Sequence, residues 1–457
     1  MKKAIKLMCL AVCIVLSFTA LSGCSDYTVQ TGELPDSYIC QPNGKIRLQY
    51  YLASTESSKR SVNNWVAAFQ KQYPDVEVQV EFSSNDVSAV PVQLAAKSIG
   101  DVFFLSEVWL YEYAAIQKVL MPLDSYLEAY NIDTSQVFSA IYNMGVINGK
   151  VYMAMRDYNH ISLIYNRDLI KDAGLVDPIE LDNKGEWTWD TFKAYCKQLT
   201  TEDGADRQIV GADLTLNWAP VYIPFLEGWG GKWYDTEEKK IYLYSDERVL
   251  EGLTDVVEFI QSNCVRVSGV RETPSQRSFT GYEAVFTTTT FLQMESMGNA
   301  YESRGVDWDV VSFPALPTHK VGTGATGFVV YNGTKNPDAA AALCLSLYTE
   351  EGQLAYNSQT GGSVPNVKSL AYSNVWRVPF DDKSINEEEG KNYDAWISYP
   401  EADTYGNPEC VLPPDIADIV SSYMSSCIIN AVDGSKSLAD TLAYVEKLCN
   451  ETWETLS

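Results

Sequence analysis

The chain has 457 residues, 46% apolar and 21% charged, which is the balance of a soluble globular protein of two or three domains. That balance excludes intrinsic disorder, a collagen-like fibre and a polytopic membrane protein. The net charge of −26, from 34 basic against 60 acidic side chains, repels phosphate backbones and so argues against a nucleic-acid partner.

The amino terminus reads as a processing signal. Lys2, Lys3 and Lys6 form a positive n-region, and residues 7–20 form an apolar h-region too short and wrongly flanked for a permanent span. Leu21-Ser22-Gly23-Cys24 then resembles a bacterial lipobox, whose cysteine is lipidated and becomes the first residue of the mature chain. The alternative is an ordinary signal peptide with a chance cysteine. On the lipobox reading residues 1–23 are a lipoprotein signal peptide and the mature charge becomes −29. Each CH₂ buried by the lipid on Cys24 adds about 0.8 kcal/mol of membrane affinity. Residues 24–43 are polar and aperiodic, with Gly32, Pro35 and Pro42, and read as a tether.

Beyond the tether, helices and strands alternate. Val62, Trp65, Val66, Phe69 and Tyr73 follow helical spacing, Pro74 stops the helix, and Val76, Val78, Val80 and Phe82 alternate as in a strand. Trp65 on that stripe reads as core. Residues 101–105, Asp-Val-Phe-Phe-Leu, form a short buried strand of the parallel kind, and Val108, Tyr111, Ala115 and Val119 continue as a helix. Strands are expected at 161–165, 310–313 and 328–331. Thr188 caps a helix running to about Leu199. Asn336, Pro337 and Asp338 supply the N-cap, the N1 proline and the acid for a helix over 338–348. This alternation predicts α/β layers.

Several candidate chemistries fail on spacing. His160 and His319 are the only two histidines, so a His-rich metal site is not expected, and nothing calls for a cofactor. Seven cysteines follow Cys24, none in a CxxC pair, which removes a zinc knuckle or a thioredoxin-type motif and leaves open which pair. Cys196 and Cys344 lie in apolar helical patterns and read as buried thiols. Residues 322–327, Gly-Thr-Gly-Ala-Thr-Gly, lack the Lys-Ser/Thr ending of a phosphate loop and precede a strand, so they read as a flexible crossing. Asn332-Gly333-Thr334 matches a glycosylation sequon and reads as a turn.

Six stretches now form an ordered set: DVFFLSEVWLYEYAAIQKVLMPLDSYL, INGKVYMAMRDYNHISLIYNRDLIKDAG, WTWDTFKAYCKQLT, FTGYEAVFTTTT, TGFVVYNGTKNPDAAAALCLSLYTEEGQ and GGSVPNVKSL. Their order over roughly residues 44–370, behind a lipobox, resembles the extracellular solute-binding proteins of ABC importers, in the large maltose-binding-protein-like family. Two departures stand out. Lys118 occupies a place where the family usually has Gly, and Thr191 replaces a Glu three residues after the N-cap, losing a capping box. Segment 371–408, with Trp376, the acidic run 387–389 and Trp396, has no counterpart.

The resemblance implies an α/β, two-lobed, periplasmic-binding-protein-like fold of type II, with ligand in a cleft that closes by hinge motion. It implies lobe one at 44–157 plus 307–348 and lobe two at 160–305 plus 350–457. The implied function is to bind a saccharide, an oligosaccharide by preference, outside the cytoplasm and to deliver it to the permease subunits of an ABC importer. The protein is expected to be a monomer. The competing reading is a surface-anchored carbohydrate-active enzyme, with Asp307 and Asp309, or Glu107 and Glu112, as the carboxylate pair.

Sugars present apolar C–H faces and a polar rim, so their pockets combine flat aromatic rings with a few hydrogen-bonding groups. Loop positions at strand ends nominate Ser106, Glu107 and Trp109, then Arg156, Asp157, Tyr158 and Asn159. The resemblance adds Asn217 and Trp218 on a middle cleft loop, Trp229 nearby, and Phe291 at the family position of a sugar-stacking aromatic. The rival reading of each aromatic is core packing. At least three of Trp109, Tyr158, Trp218, Trp229 and Phe291 are expected to line the cleft.

Overall fold

The computed structural model describes residues 29–52, 56–83, 87–158, 160–203, 207–267, 284–358, 362–377, 390–399 and 404–456. The leader, Cys24 and Asn159 lie outside the described residues. The chain opens with β1 (Gly44–Tyr50), α1 (Glu56–Gln72), β2 (Val76–Phe82), β3 (Val102–Ser106) and β4 (Met153–Met155). Its middle holds β5 (Ser162–Asn166), α2 (Trp189–Leu199), β6 (Arg207–Leu214), α3 (Ala219–Glu227), α4 (Glu247–Gln261), β7 (Val265–Val267), β8 (Ala284–Thr289), α5 (Phe291–Glu302) and β9 (Trp308–Ser312). Then come β10 (Val321–Gly322), β11 (Thr326–Val330), α6 (Pro337–Leu345), α7 (Glu350–Asn357), β12 (Thr404–Tyr405), α8 (Pro414–Asp433) and α9 (Leu438–Thr455).

Two mixed sheets result. The first has the order β2-β1-β3-β11-β4, with β1 parallel to β2 and β3, and β11 antiparallel to β3 and β4. The second runs β7-β6-β8-β5-β9, with β6 parallel to β7 and β8, and β5 antiparallel to β8 and β9. All four apolar residues of β3 are buried, as a strand covered on both faces requires. In the first core Trp65 is fully buried between Phe328 and Tyr356, its indole N–H donating to Ser346 Oγ at 2.8 Å. In the second, Trp189 sits among Phe192, Phe225, Phe259 and Phe313. Thr188 caps α2 by accepting from the Thr191 amide.

The lobe boundaries differ from those expected. Trp308–Ser312, assigned to lobe one, pairs along β5 in the second sheet. Residues 350–358 and 362–371, assigned to lobe two, cover the first: Tyr356 packs on Trp65, and Asn366 donates to the Met155 carbonyl. Apolar pattern alone does not reveal which sheet a helix covers. Segment 390–397 lies along β9, where the Asn392 side chain donates to the Val310 carbonyl at 3.1 Å. The expected helix after Ser106 is a short 3₁₀ turn at 107–109 followed by a π-type turn at 112–116. Lys118 has φ = 54°, a left-handed conformation that suits glycine and explains the residue usual there.

The tether also departs from expectation. From residue 29 it is docked: the Gln30 amide donates to the Asn332 carbonyl at 2.6 Å, and Tyr38 Oη and the Gln41 amide both donate to Asp338 Oδ2, at 3.0 and 2.7 Å. Asp338 Oδ1 accepts from Tyr126 Oη at 3.3 Å. Asn336 makes no side-chain cap to α6; its amide instead donates to the Lys45 carbonyl at 2.9 Å. No helix among the described residues is long and apolar enough to cross a membrane.

Asp338→Ala should therefore free the strap. Tyr38 and Gln41 are exposed and can turn to water, so each lost bond costs only about 0.5–1.5 kcal/mol, while the buried Tyr126 hydroxyl loses its acceptor. Limited proteolysis should cut between residues 29 and 43 much earlier than in the wild type, and an unchanged cleavage rate would show that the strap is held elsewhere.

Candidate functional site

Among the described residues the chain passes between the lobes at 156–158 with 160–161 and at 313–325, and β12 pairs with β10 on the second of these crossings. Two of the three glycines of the Gly-rich stretch lie on the second crossing and are demanded by contact there. A Cβ at Gly322 would fall 1.7 Å from the Pro220 carbonyl oxygen, and one at Gly324 would fall 2.7 Å from the Trp218 ring.

The turn after β3 is wired to these crossings. Glu107 is buried, and its carboxylate accepts from Ser106 Oγ at 2.8 Å, from the Ala325 amide at 3.3 Å and from the Asn407 side chain. Burial outweighs those donors and pushes its pKa up to about 7. One carboxyl thus joins the end of the first sheet, the second crossing and the segment after β12.

The first crossing is equally enclosed. Arg156 and Asp157 form an ion pair at 2.6 Å, both 2% exposed, and Asp157 also accepts from Ser363 Oγ at 2.8 Å. The Arg156 guanidinium donates to Tyr50 Oη at 3.3 Å. Arg156 Nε and Asp157 Oδ1 have no partner among the described residues. Tyr158 stacks on Phe138 with ring centroids 4.0 Å apart, and its hydroxyl lies 2.7 Å from His160 Nε2. His160 Nδ1 accepts from the Tyr399 amide at 3.4 Å, which leaves the proton on Nε2, and Thr404 Oγ1 is 3.2 Å away. Burial lowers the His160 pKa to about 3, so the ring is neutral.

The nominated residues therefore divide. Trp109 is 44% exposed and lies nearly parallel to Tyr113, with centroids 6.4 Å apart. Asn217 is exposed, and Trp218 is half-buried against Gly324, next in the chain to the Ala325 that Glu107 binds. Ser106, Glu107, Trp109, Asn217 and Trp218 thus gather around one crossing. Arg156, Asp157 and Tyr158 adjoin it, but their side chains, like that of Glu107, are turned inward to protein partners rather than toward a ligand. Trp229 packs its ring over Gly252 of α4, where a Cβ would fall 2.7 Å from it. Phe291 is also corrected: it is 3% exposed and enclosed by Trp376, Tyr393 and Trp396, at 5.3, 6.1 and 6.0 Å. Those three rings come from segment 371–408, for which the ordered stretches gave no family counterpart, so no sequence signal placed them there. Asn407, the partner of Glu107, was missed for the same reason.

Between the lobes, Tyr111, Val146 and Asn148 face Lys239, Val411 and Trp453 across a groove of about 350 Å³. Among the described residues no group of three His, Cys, Asp or Glu side chains is placed to hold a metal ion.

Comparison with known proteins adds three findings. Residues 53–354 match the family model of bacterial extracellular solute-binding proteins. The chain is similar in structure to the ABC substrate-binding protein Lmo0181 of Listeria monocytogenes, in complex with cycloalternan, at 20% identity over 90% of this chain and 99% of that one, with a TM-score of 0.69. It is similar to the maltose-binding protein MalE of the same organism, in complex with maltose, at 18% identity over 90% and 98%, TM-score 0.65. UgpB of Mycobacterium tuberculosis, in complex with glycerophosphocholine, matches at 15% identity over 91% and 99%, TM-score 0.71. At these identities the likeness is one of fold, and the fold is the two-lobed binding-protein fold.

The two buried titratable groups should tilt stability in opposite directions. Glu107 keeps a proton in the native state that an unfolded glutamate, at 4.5, has released, so stability falls as pH rises from about 4.5 to about 7, by up to roughly 3 kcal/mol. His160 refuses a proton that the unfolded chain accepts, so its contribution is full above 6.5 and lost as pH falls toward 3. Glu107→Gln keeps an acceptor for Ala325 and Asn407 and removes the first effect. Urea midpoints at pH 5 and pH 7.5 should lie closer together in the wild type than in the variant, whose midpoint should gain most at pH 7.5; equal profiles would place the titrating group elsewhere.

Proposed function

Because the chain belongs to the bacterial extracellular solute-binding protein family, we propose that it is the substrate-binding lipoprotein of an ABC importer for a carbohydrate, an oligosaccharide in the first place. The observation that carries the reading is the exposed Trp109 beside Tyr113, at the carboxyl end of a sheet strand and next to a lobe crossing. A flat ring there meets the C–H face of a sugar, while Ser106 and Asn217 supply polar partners for hydroxyls. The complexes of similar proteins with cycloalternan and maltose support a saccharide. The complex with glycerophosphocholine favours a second reading, since an aromatic face also attracts a quaternary ammonium.

On this proposal the first sheet with residues 350–358 and 362–371 forms one lobe and the second sheet with α8 and α9 the other. The crossings act as the hinge, and closure buries the ligand and presents a joint surface to the permease pair. The lipid on Cys24 holds the protein at the membrane. Against the hydrolase reading, a glycosidase needs two facing carboxyls about 5–10 Å apart with one free to donate. Glu107 is fully engaged by protein donors, and Glu112 accepts from Gln117 at 2.8 Å.

A thermal-shift screen over saccharides and glycerophosphodiesters should identify the ligand, because anything that binds only the native state raises the melting temperature. Trp109→Ala should then weaken binding by about 1–3 kcal/mol with little change in stability. Phe291→Ala should instead cost about 3–5 kcal/mol of stability, as a buried ring does. A Trp109→Ala protein that binds like wild type would move the site elsewhere, and hydrolysis of a labelled oligosaccharide would restore the enzyme reading.

Anchoring and closure have separate readouts. Cys24→Ser should release the protein into the soluble fraction with its affinity unchanged; retention at the membrane would put the anchor at another position. Small-angle scattering should show a smaller radius of gyration at saturating ligand, and an unchanged radius would dispose of hinge closure.

A further inference from the structure

Cys196 and Cys264 belong to different elements, α2 and the turn that enters β7, yet they converge on one residue of β6. The parallel register of Val265 with Ala212 sets Cys264 beside Gly211, and the Ala212 amide donates to the Cys264 carbonyl at 3.3 Å. On the face of the sheet, α2 presses on the same glycine: a Cβ at Gly211 would fall 2.2 Å from the Cα and 2.4 Å from the Cβ of Cys196. The Thr200 hydroxyl binds the arrangement together. It lies 2.7 Å from the Cys196 carbonyl and 3.4 Å from the Cys264 carbonyl, and it accepts from the Gly211 amide at 2.9 Å.

Residues level with each other on neighbouring parallel strands point to the same face, so the Cys264 side chain is directed toward α2. Strands lie about 4.8 Å apart, and with a Cα–Cβ bond of about 1.5 Å the Cys196 backbone lies within about 4 Å of Gly211. The two Cα atoms are then about 6 Å apart, inside the range of about 4.4–6.8 Å that a disulfide spans. Both thiols are free and buried in the same core. The Cys264 sulfur lies 2.8 Å from Ser262 Oγ, a contact it must give up on turning toward Cys196.

We propose that Cys196 and Cys264 form a disulfide in the exported protein, stapling α2 to the edge of the second sheet. The oxidising compartment this needs rests on the extracytoplasmic reading above; the geometry does not. The oxidant is a disulfide-carrying exchange protein or a small-molecule disulfide. The thiolate of one cysteine attacks a sulfur of that disulfide, forming a mixed disulfide and releasing one carrier thiolate. The thiolate of the second cysteine then displaces the other carrier sulfur. The two protons given up by Cys196 and Cys264 end on the two carrier sulfurs, so the cysteine pair loses two electrons and the carrier gains them. Desolvation raises both thiols above their ordinary range in the folded protein. The exchange therefore belongs to the folding chain, before α2 covers β6, and native reduced protein should resist oxidation.

The test uses the full chain, unfolded, reduced and refolded in a glutathione redox buffer, then alkylated under denaturing conditions and digested. The expected result is a peptide joining Cys196 to Cys264, two mass units lighter than its reduced parts, and a melting temperature several degrees above that of reduced protein. The C196A/C264A double variant should lose the dependence on reductant. If both cysteines are alkylated in refolded protein with native circular dichroism, the pairing is overturned. Failure of export in cells would overturn the extracytoplasmic reading and leave the glutathione result standing, so the two are told apart.

Discussion

Everything in this molecule depends on the chain having to pass repeatedly between two sheets that it cannot complete in one visit. The first sheet lacks its fourth strand in order until β11 returns from the far lobe, and the second sheet is closed at its edge by β9 only just before that return. Each passage drags backbone and polar side chains through the seam between two cores, where unpaired groups are costly. The structure answers with internal partners. Glu107 ties the end of β3 to Ala325 and Asn407, Arg156 is paired with Asp157 and Ser363, and Tyr158 with His160 and Thr404.

That constraint explains the division among the polar residues near the seam. Side chains on the first crossing are surrounded on all sides and consumed by structure, as is Glu107 just after β3, whereas some residues farther along the loops keep one face to solvent. Arg156 and Asp157 are of the first kind, Trp109 and Asn217 of the second. Trp109 stays 44% exposed beside Tyr113, while the buried Arg156–Asp157 pair holds the crossing at a desolvation cost that its hydrogen bonds offset only in part, since Arg156 Nε and Asp157 Oδ1 have no partner among the described residues.

The aromatic content follows the same logic. Many of the 11 Trp and 29 Tyr residues close gaps between layers, as Trp65 does against Phe328 of β11 and Trp189 does among Phe225, Phe259 and Phe313. The cluster of Phe291, Trp376, Tyr393 and Trp396 extends this: residues from the segment without a counterpart cover a ring that the resemblance had put on the cleft wall.

What the sequence determined by itself were features with local physical causes. The period of two in β2, the helical stripe of α1, the uninterrupted apolar run of β3 and the Thr188 cap depend on neighbours within a few residues, and all are found in place. The ordered stretches shared with the family carried the two-lobed fold. Tertiary structure alone decided which sheet a segment joins: helix 350–357 buries Gly352, Gln353, Tyr356 and Asn357 rather than an apolar stripe, and helix 414–433 carries an apolar face that either core would accept. It likewise decided that residues 29–43 are a docked strap, since Asp338 and its partners are some 300 residues apart in the chain. It decided, too, which rings remain exposed: Trp109 and Phe291 are equally apolar as letters, and only the position of segment 371–408 separates them. Burial belongs to the whole surface around a residue, and that surface is assembled from chain that the residue's own neighbourhood does not contain.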